Sequence, residues 1–375
     1  MTESRAGSLD DIPLIDGHAH PLLPPTAAAA QPFARFFTEA HDAETITHHA
    51  PHTLFYRWAL RELAELLGCP ATEEAVAAAR TALPFGDYLR RLLTDANVAA
   101  VLVDDGYPRE GTLPTQMLAD VAGVRVHRLA RIERLAEDLV PGHGSLDDLC
   151  AALIGELERA GPELLGLKSI IAYRSGLMLG AVDRDEARRA LERVRAAWGT
   201  PPGRLTAKPL LDYLLLAAAE WAAARDLPLQ LHTGFGDRDI DLRLANPLHL
   251  RAQLEGGVLA RLPVVLLHAG YPFVREAAYL ASVYPNVYVD ISLAVPLLAG
   301  PGLTHVLEEL LALTPVTKVL YGSDAWGVPE WFWLAARAGR RALAAALAWL
   351  SADEARWTTR RVLHDNAAEL YRLPR

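Results

Sequence analysis

Eight short apolar runs, each followed by a longer segment with helical spacing, constrain the fold of this chain more than any other feature of its sequence. The runs are rich in Val, Ile and Leu, and most are apolar along their whole length, as parallel strands covered on both faces are. They are Pro13–His20, Val98–Asp105, Val124–Glu133, Leu164–Tyr173, Leu227–Gly234, Pro263–Gly270, Asn286–Leu293 and Val319–Asp324. The alternation predicts an α/β fold, a (β/α)8 TIM-like barrel.

Segments between these runs carry apolar residues three and four positions apart, which is typical of amphipathic helices. They are Leu146–Arg159, Asp185–Trp198, Pro209–Arg225, Val274–Tyr284 and Leu303–Leu313. An open, doubly wound sheet is the structural alternative, but no glycine-rich phosphate-binding turn follows the first run. The barrel is therefore favoured.

The connection between the first two runs is unusually long for a barrel. It contains four predicted helices, which are Phe33–Phe37, Leu54–Leu67, Thr72–Thr81 and Asp87–Leu93. We predict a barrel formed by residues 1–25 and 96–375, with residues 26–95 inserted as a helical subdomain that acts as a lid over the barrel mouth. The spacing of the insertion histidines matches no compact set of metal ligands, so we expect them to be solvated or to cap helices, although one could reach the substrate. They are His41, His48, His49 and His52.

Composition and charge exclude several other classes of protein. Basic residues are scattered through a chain of net charge −9, which argues against nucleic-acid binding, and the two cysteines form no metal-binding or disulfide pattern. The polar, acidic N-terminus lacks the basic start and apolar run of a secretory signal, so a cytoplasmic location is expected. The apolar stretch Trp331–Leu350 contains three arginines, which favours a soluble helix over a membrane span. The expected partner is a small-molecule substrate, with no nucleic acid or membrane, and assembly into a homo-oligomer stays open.

Polar residues interrupt the apolar runs where the strands are predicted to end, at the end of a barrel where active sites lie. In LIDGHAH, His18 and His20 are two residues apart and so project from the same face of an extended chain. His232, His268 and Asp324 end the fifth, sixth and eighth runs. Imidazoles with one carboxylate and no thiolate suit Zn²⁺ or a similar divalent metal that keeps a position open for water. The ordinary alternatives are a helix-capping role for Asp324 and a packed, hydrogen-bonded His268.

This ordered set resembles the amidohydrolase superfamily, through HAH on the first strand, the two later histidines and GSDAWG on the eighth strand. LKSIIAYRSGL, HTLFYRWALRELAELLGC and HDNAAELYRL are similar to the amidohydrolase-2 branch, which includes amidohydrolase domains fused to glutamine-synthetase-like modules. The resemblance implies that His18, His20, His232 and Asp324 bind one divalent metal or a pair, zinc being favoured. It also implies that His268 binds a second metal or polarises the substrate carbonyl.

Four further residues are candidates for the site. Lys168 lies in the apolar fourth run, where an ammonium needs compensation. It would either form a carbamate that bridges two metals, as in parts of the superfamily, or pair with an inward carboxylate such as Asp290. Arg174 and Arg131 would bind a substrate carboxylate, with a loop salt bridge and an interior hydrogen bond as their alternatives. Trp326 would line the pocket, although core packing explains it equally well.

These residues predict a hydrolase that cleaves an amide or related C–N bond of a small, carboxylate-bearing substrate. A bound divalent metal would supply hydroxide at neutral pH, with Asp324 as the proton acceptor and donor and His268 stabilising the oxyanion. Two enzymatic alternatives, a decarboxylase and a uronate-isomerase-like enzyme, would use the same metal site. A metal-stabilised regulatory protein without turnover is the alternative from another class.

Overall fold

Each strand in this computed structural model pairs in parallel with the next strand of the sequence, in the order β1 to β8. The structure describes residues 9–180, 182–199, 203–298 and 300–374. The strands are β1 Leu14–Ala19, β2 Val98–Asp104, β3 Arg125–Arg131, β4 Leu164–Ser169, β5 Leu229–Leu231, β6 Val264–Leu266, β7 Val287–Asp290 and β8 Val319–Leu320. This strand order is that of a TIM barrel.

Backbone hydrogen bonds between β1 and the chain that includes and follows β8 complete the ring. Gly17 N–H donates to Tyr321 O over 2.9 Å, and His20 N–H donates to Ala325 O over 2.7 Å. In the opposite direction, Asp324 N–H donates to His18 O over 2.8 Å. The predicted (β/α)8 fold is therefore confirmed.

All eight strands are shorter than their predicted runs, and the difference bears on the site at β5, β6 and β8. The residues predicted to end strands β5, β6 and β8, namely His232, His268 and Asp324, lie beyond the last residue of each strand. His268 and Asp324 have φ values of 65° and 58°, in the left-handed region that is incompatible with a regular strand. The backbone thus leaves the sheet where these polar side chains turn into the mouth.

Most of the predicted helices cover the outside of the barrel, with ends shifted by a few residues. The longer ones are Leu146–Ala160, Arg184–Ala196, Lys208–Ala223, Val274–Val283, Pro301–Leu311 and Glu330–Ala346. Shorter helices are Gln116–Ala122, Ile132–Leu139, Ile171–Arg174, Arg251–Gly256, Ala294–Leu297, Ala352–Arg360 and Asn366–Leu370. No helix in the described ranges is long and apolar enough to cross a membrane. Residues 1–8, which carry most of the N-terminal argument against a signal sequence, lie outside the described residues.

The segment between β1 and β2 is mainly helical. It contains a 3-10 helix at Phe33–Phe37 and α-helices at Pro25–Ala29, Leu54–Leu67, Glu73–Thr81 and Phe85–Asp95. The Thr53 side chain accepts a hydrogen bond from Tyr56 N–H at the start of one helix, and Gly68 ends that helix in the left-handed conformation. Trp331 Nε1 donates to Phe36 O over 2.6 Å, which fixes the 3-10 helix against Glu330–Ala346. This contact holds the segment close to the residues that follow β8.

Apolar side chains fill the interior of the barrel. Ile15, Leu102, Leu129, Val265 and Leu320, from five different strands, belong to one buried cluster with residues of the C-terminal helix. A larger cluster packs the outer strand faces against the helices. The interior is therefore a packed core, and the chemistry is confined to the mouth.

Candidate metal centre

The structure brings the six predicted metal-site residues to the same end of the barrel. These residues are His18, His20, Lys168, His232, His268 and Asp324. The His18 ring centroid lies 5.0 Å from that of His20 and 5.9 Å from that of His268, and the His232 and His268 centroids are 4.4 Å apart. Lys168 Nζ lies 3.1 Å from His18 Nε2. Side chains from five different strand ends thus surround one small volume.

Asp324 lies between the two histidines of β1. Its Oδ1 atom is 3.1 Å from His18 Nε2 and 3.3 Å from His20 Nε2. This oxygen is buried, yet no N–H or O–H of a described residue points at it with hydrogen-bond geometry. A buried carboxylate oxygen without a donor is costly, and a cation between these groups would satisfy it.

Outer hydrogen bonds determine which nitrogen of three histidine rings carries the proton. His20 Nδ1 lies 3.0 Å from Asp104 O, His232 Nε2 lies 3.0 Å from Phe235 O, and His268 Nδ1 lies 3.2 Å from Ser292 O. A carbonyl oxygen can only accept, so each of these nitrogens must donate an N–H. The opposite nitrogen of each neutral ring therefore has a free lone pair.

Those lone pairs point at neighbouring site residues. His268 Nε2 and His232 Nδ1 lie 2.9 Å apart, although neither carries a proton in these tautomers, and His20 Nε2 faces Asp324. Burial and a nearby cationic Lys168 lower the pKa of His18 to about 4, and burial lowers the pKa of His268 to about 3. Neutral imidazoles with inward lone pairs form a suitable donor set for a divalent metal.

A hydrogen-bonded chain supports His268 from behind. His268 Nδ1 lies 3.0 Å from Ser292 Oγ, and the Ser292 hydroxyl donates to Asp290 Oδ1. Asp290 also accepts the Ser292 backbone N–H over 2.9 Å. Such outer contacts orient the ring and fix its tautomer, as the outer partners of metal-bound histidines do. This arrangement gives Asp290 an interior hydrogen-bonding role.

Lys168 forms no ion pair within 4.0 Å of a carboxylate among the described residues. Its Nζ instead faces His18, and the side chain is 1% exposed. Burial lowers the pKa of Lys168 to about 8, despite the opposing influence of Asp104. The alternative of a direct pair with Asp290 therefore has no contact to support it.

Asp104, at the end of β2, is a site residue that the sequence interpretation missed. Its carboxylate and the rings of His18 and His20 offer ligand atoms within 4.8 Å of one another. Both carboxylate oxygens, however, accept hydrogen bonds from Arg131, at 2.6 to 3.2 Å. We regard Asp324 as the better ligand because its Oδ1 has no competing donor. Asp104 is a polar residue at the end of a buried strand, in VLVDDG, so the signal that identified the histidines could also have identified it.

The predicted substrate-binding residues line one cavity of about 300 Å³ with five of the six metal-site residues, all but His18. The two predicted arginines already have carboxylate partners. Arg131 pairs with Asp104, and Arg174 Nη2 lies 3.2 Å from Glu137 Oε1. Trp326 belongs to the cavity wall. Several lining residues escaped the sequence interpretation, among them the charged residues Arg35, Glu39 and Asp237.

One histidine of the segment between β1 and β2, His41, also lines this cavity. Its Nε2 lies 3.7 Å from Asp237 Oδ2, across the mouth. His48, His49 and His52 belong to no group of potential metal ligands in the described ranges. Of the four insertion histidines, His41 is thus one that reaches the cavity, an alternative that the sequence left open.

Comparisons with known proteins place this fold and site in context. The family model described as "Amidohydrolase" matches residues 168–373. Protein fluG of Emericella nidulans (strain FGSC A4) is 36% identical over 372 residues, which cover 88% of this chain but 42% of fluG. The chain therefore spans less than half the length of this relative.

Two solved structures are similar over nearly their whole length. A candidate metal-dependent hydrolase from Lactobacillus casei ATCC 334 is 33% identical, with a TM-score of 0.86 over 97% of this chain and 96% of the other. Uronate isomerase from Thermotoga maritima is 15% identical, with a TM-score of 0.61 over 96% of this chain and 95% of the other, a likeness that shows the fold alone. Because the family model covers more than half of its residues, this chain belongs to the amidohydrolase family.

Proposed function

We propose that this chain is a metal-dependent hydrolase that cleaves an amide or related C–N bond of a small, carboxylate-bearing substrate. The observation that carries the proposal is the set of three inward ring lone pairs, on His20, His232 and His268, next to the unpartnered oxygen of Asp324. Without a cation these groups would repel one another. The description of the Lactobacillus casei relative as a candidate metal-dependent hydrolase supports the same function.

The metal would be held by the nitrogen and oxygen donors that converge at the mouth. These are His18, His20, His232, His268 and Asp324, with Lys168 as a further ligand after modification. A nitrogen-rich set with one carboxylate and no thiolate favours Zn²⁺. When bound, the ion supplies Lewis acidity and lowers the pKa of water toward ~7.

Asp324 is proposed to move the proton during the reaction. Burial opposes its ionisation, but the contact with His18 outweighs burial and holds the pKa of Asp324 well below its ordinary value. As a carboxylate, Asp324 can accept a proton from the attacking water and return it to the leaving nitrogen. Of the two roles considered for His268, the N–H bond to Ser292 favours metal binding, because it leaves no proton on Nε2 to stabilise an oxyanion.

Lys168 is proposed to carry a carbamate. With a pKa of about 8, roughly a tenth of the amine is uncharged at neutral pH. The uncharged Nζ can bond to the carbon of CO₂ and release a proton, which replaces a buried cation by an anion. That anion would compensate the metal charge and could hold a second ion beside His18.

Metal removal tests the proposed function directly. We expect chelation to abolish hydrolysis of small carboxylate-bearing amides, and Zn²⁺ or Mn²⁺ to restore it together with one or two bound ions per chain. His268→Ala should reduce metal content, whereas His305→Ala is the matched control because His305 is largely exposed. Hydrolysis that persists in metal-free protein would contradict the proposal. Turnover of uronates alone would favour an isomerase, and tight metal binding without turnover would favour a regulatory protein.

A further inference from the structure

An aromatic wall leads from the metal centre to an arginine at the cavity mouth. The ring of His20 lies 5.6 Å from that of Tyr107, and Tyr107 lies 6.1 Å from the ring of Trp326. The Arg35 guanidinium carbon is 5.0 Å from the Trp326 centroid. Arg35 is therefore separated from the metal ligands by a short apolar surface along which a small substrate can lie.

Arg35 differs from the other arginines that line the cavity because it forms no ion pair with a carboxylate of the described residues, although it is near enough to Glu39 for their charges to interact. Arg131, Arg174 and Arg204 pair with Asp104, Glu137 and Asp239, respectively. Arg35 donates one hydrogen bond, from Nη1 to Thr38 O over 3.3 Å, and forms no ion pair with a described residue. Its remaining N–H groups can form the two parallel hydrogen bonds that a carboxylate accepts.

Other residues of the cavity lining carry negative charge. The ring of Tyr173 lies 4.3 Å from that of His232, and the Tyr173 hydroxyl accepts Asp237 N–H over 3.2 Å. Asp237 lines the same cavity, and its one ion pair among the described residues is a long 3.7 Å contact to His41. Asp237 is thus linked to the metal centre through one aromatic ring, that of Tyr173, whereas Arg35 is linked to it through two, those of Tyr107 and Trp326.

Glu39 adds a second carboxyl at the mouth. It lines the cavity, yet it forms no hydrogen bond or ion pair with any described residue. Burial, with the like charges of Asp324 and Asp237, outweighs the opposing charge of Arg35 and raises the pKa of Glu39 to about 8. A cationic group bound beside Glu39 and Asp237 would remove this repulsion.

We propose that the cavity mouth recognises a zwitterionic end of the substrate, whose carboxylate binds Arg35 and whose ammonium binds Glu39 and Asp237. The inference rests on the proposed hydrolytic function, since it concerns the part of the substrate remote from the scissile bond. It also assigns carboxylate recognition to Arg35, because Arg131 and Arg174 are already paired. The substrate class is therefore a small amide that carries both charges.

Three amides that differ only in charge can test this recognition. L-Glutamine has an amide and a zwitterionic end, glutaramate lacks the ammonium, and γ-aminobutyramide lacks the carboxylate. Calorimetry on the zinc-loaded protein should show L-glutamine binding about 10-fold or more tightly than either analogue, because a hydrogen-bonded charge contributes roughly that factor. Similar affinities for the three amides, or binding of none of them, would overturn the proposal.

Variants then assign each charge to its residue. Arg35→Gln should weaken L-glutamine and glutaramate by about 10-fold and leave γ-aminobutyramide unchanged. Glu39→Gln should weaken L-glutamine and γ-aminobutyramide but not glutaramate. Arg57→Gln and Glu65→Gln, at exposed positions of the helix Leu54–Leu67, are the matched controls. Losses that do not follow the charge of the probe would contradict the assignment.

Ammonia release separates this inference from the proposed function. If metal-dependent hydrolysis occurs equally with L-glutamine and glutaramate but not with γ-aminobutyramide, the hydrolase proposal stands and the zwitterion proposal fails. If the charge-dependent binding pattern appears without hydrolysis of any amide, recognition stands and the hydrolase proposal fails.

Discussion

The buried ion pair between Arg131 and Asp104 allows a quantitative test of how the centre is supported. Arg131 Nε and Nη2 lie 2.9 and 2.6 Å from Asp104 Oδ2, and the two side chains are 10% and 0% exposed. Removing one member of a buried pair leaves the other charge uncompensated, which costs about 3–5 kcal/mol. We therefore expect Arg131→Met to lower the free energy of unfolding by about 4 kcal/mol at neutral pH.

The same pair predicts how that loss depends on pH. Burial disfavours ionised Asp104, but Arg131 and nearby cations outweigh burial and hold the pKa of Asp104 below its ordinary value. The stabilisation is fully present above the unfolded-state pKa of about 4 and is lost as pH falls through the lower folded-state pKa. Without Arg131, burial would raise the pKa of Asp104, so the carboxyl would gain a proton in weakly acidic buffer. The deficit of Arg131→Met should therefore shrink as the pH is lowered.

Urea unfolding of metal-free protein, followed by circular dichroism, measures this effect. Arg188→Met is the matched control, because Arg188 pairs with Glu192 at 49% and 58% exposure, where a pair contributes about 0–1 kcal/mol. The double variant Arg131→Met/Asp104→Leu should recover part of the loss, since it leaves no buried charge. A loss below about 1 kcal/mol for Arg131→Met, or a double variant less stable than the single one, would refute the reasoning.

Two further predictions concern the ligands and the backbone beneath them. Lys168→Ala should lower metal content and turnover, and added acetate should restore part of both by supplying a carboxylate in place of the carbamate. A variant that holds as much metal as the protein without the substitution would contradict the carbamate. Gly234 has a φ of 70°, and a Cβ there would lie 2.1 Å from Tyr271 O, so Gly234→Ala should cost about 3 kcal/mol or more. Gly68→Ala, at a φ of 68° with no atom within 4 Å of the added Cβ, should cost only about 1–2 kcal/mol, and equal shifts in thermal unfolding would contradict the steric explanation.

The barrel and the positions of its ligands were predictable because both depend on periodic patterns. Alternating apolar runs and helical spacing define the strands, and a polar residue at the end of a buried strand stands out from its neighbours. His232, His268 and Asp324 were identified in this way. The lengths of β5, β6 and β8 were overestimated, because sequence does not reveal where a ligand-bearing backbone leaves the sheet, as at Asp324 with its φ of 58°.

The substrate-facing residues were less accessible to sequence reasoning. Arg35 and Glu39 lie in or after a single 3-10 helix that has no strand-end signal, and they reach the cavity only through the packing of that helix against the residues that follow β8. Arg131 and Arg174 were chosen as carboxylate ligands, but their partners, Asp104 and Glu137, are distant in sequence. Such pairings depend on the tertiary structure.

The seam between β1 and the chain after β8 has a consequence for how the protein matures. His18 and Asp324, joined there by a backbone hydrogen bond, lie 306 positions apart in the sequence and are both proposed ligands. A ribosome-bound chain that has not yet released the segment around Asp324 cannot provide the complete coordination sphere. Tight metal capture would therefore have to follow ring closure, so a nascent chain would acquire its ion only after nearly all of the barrel had been synthesised.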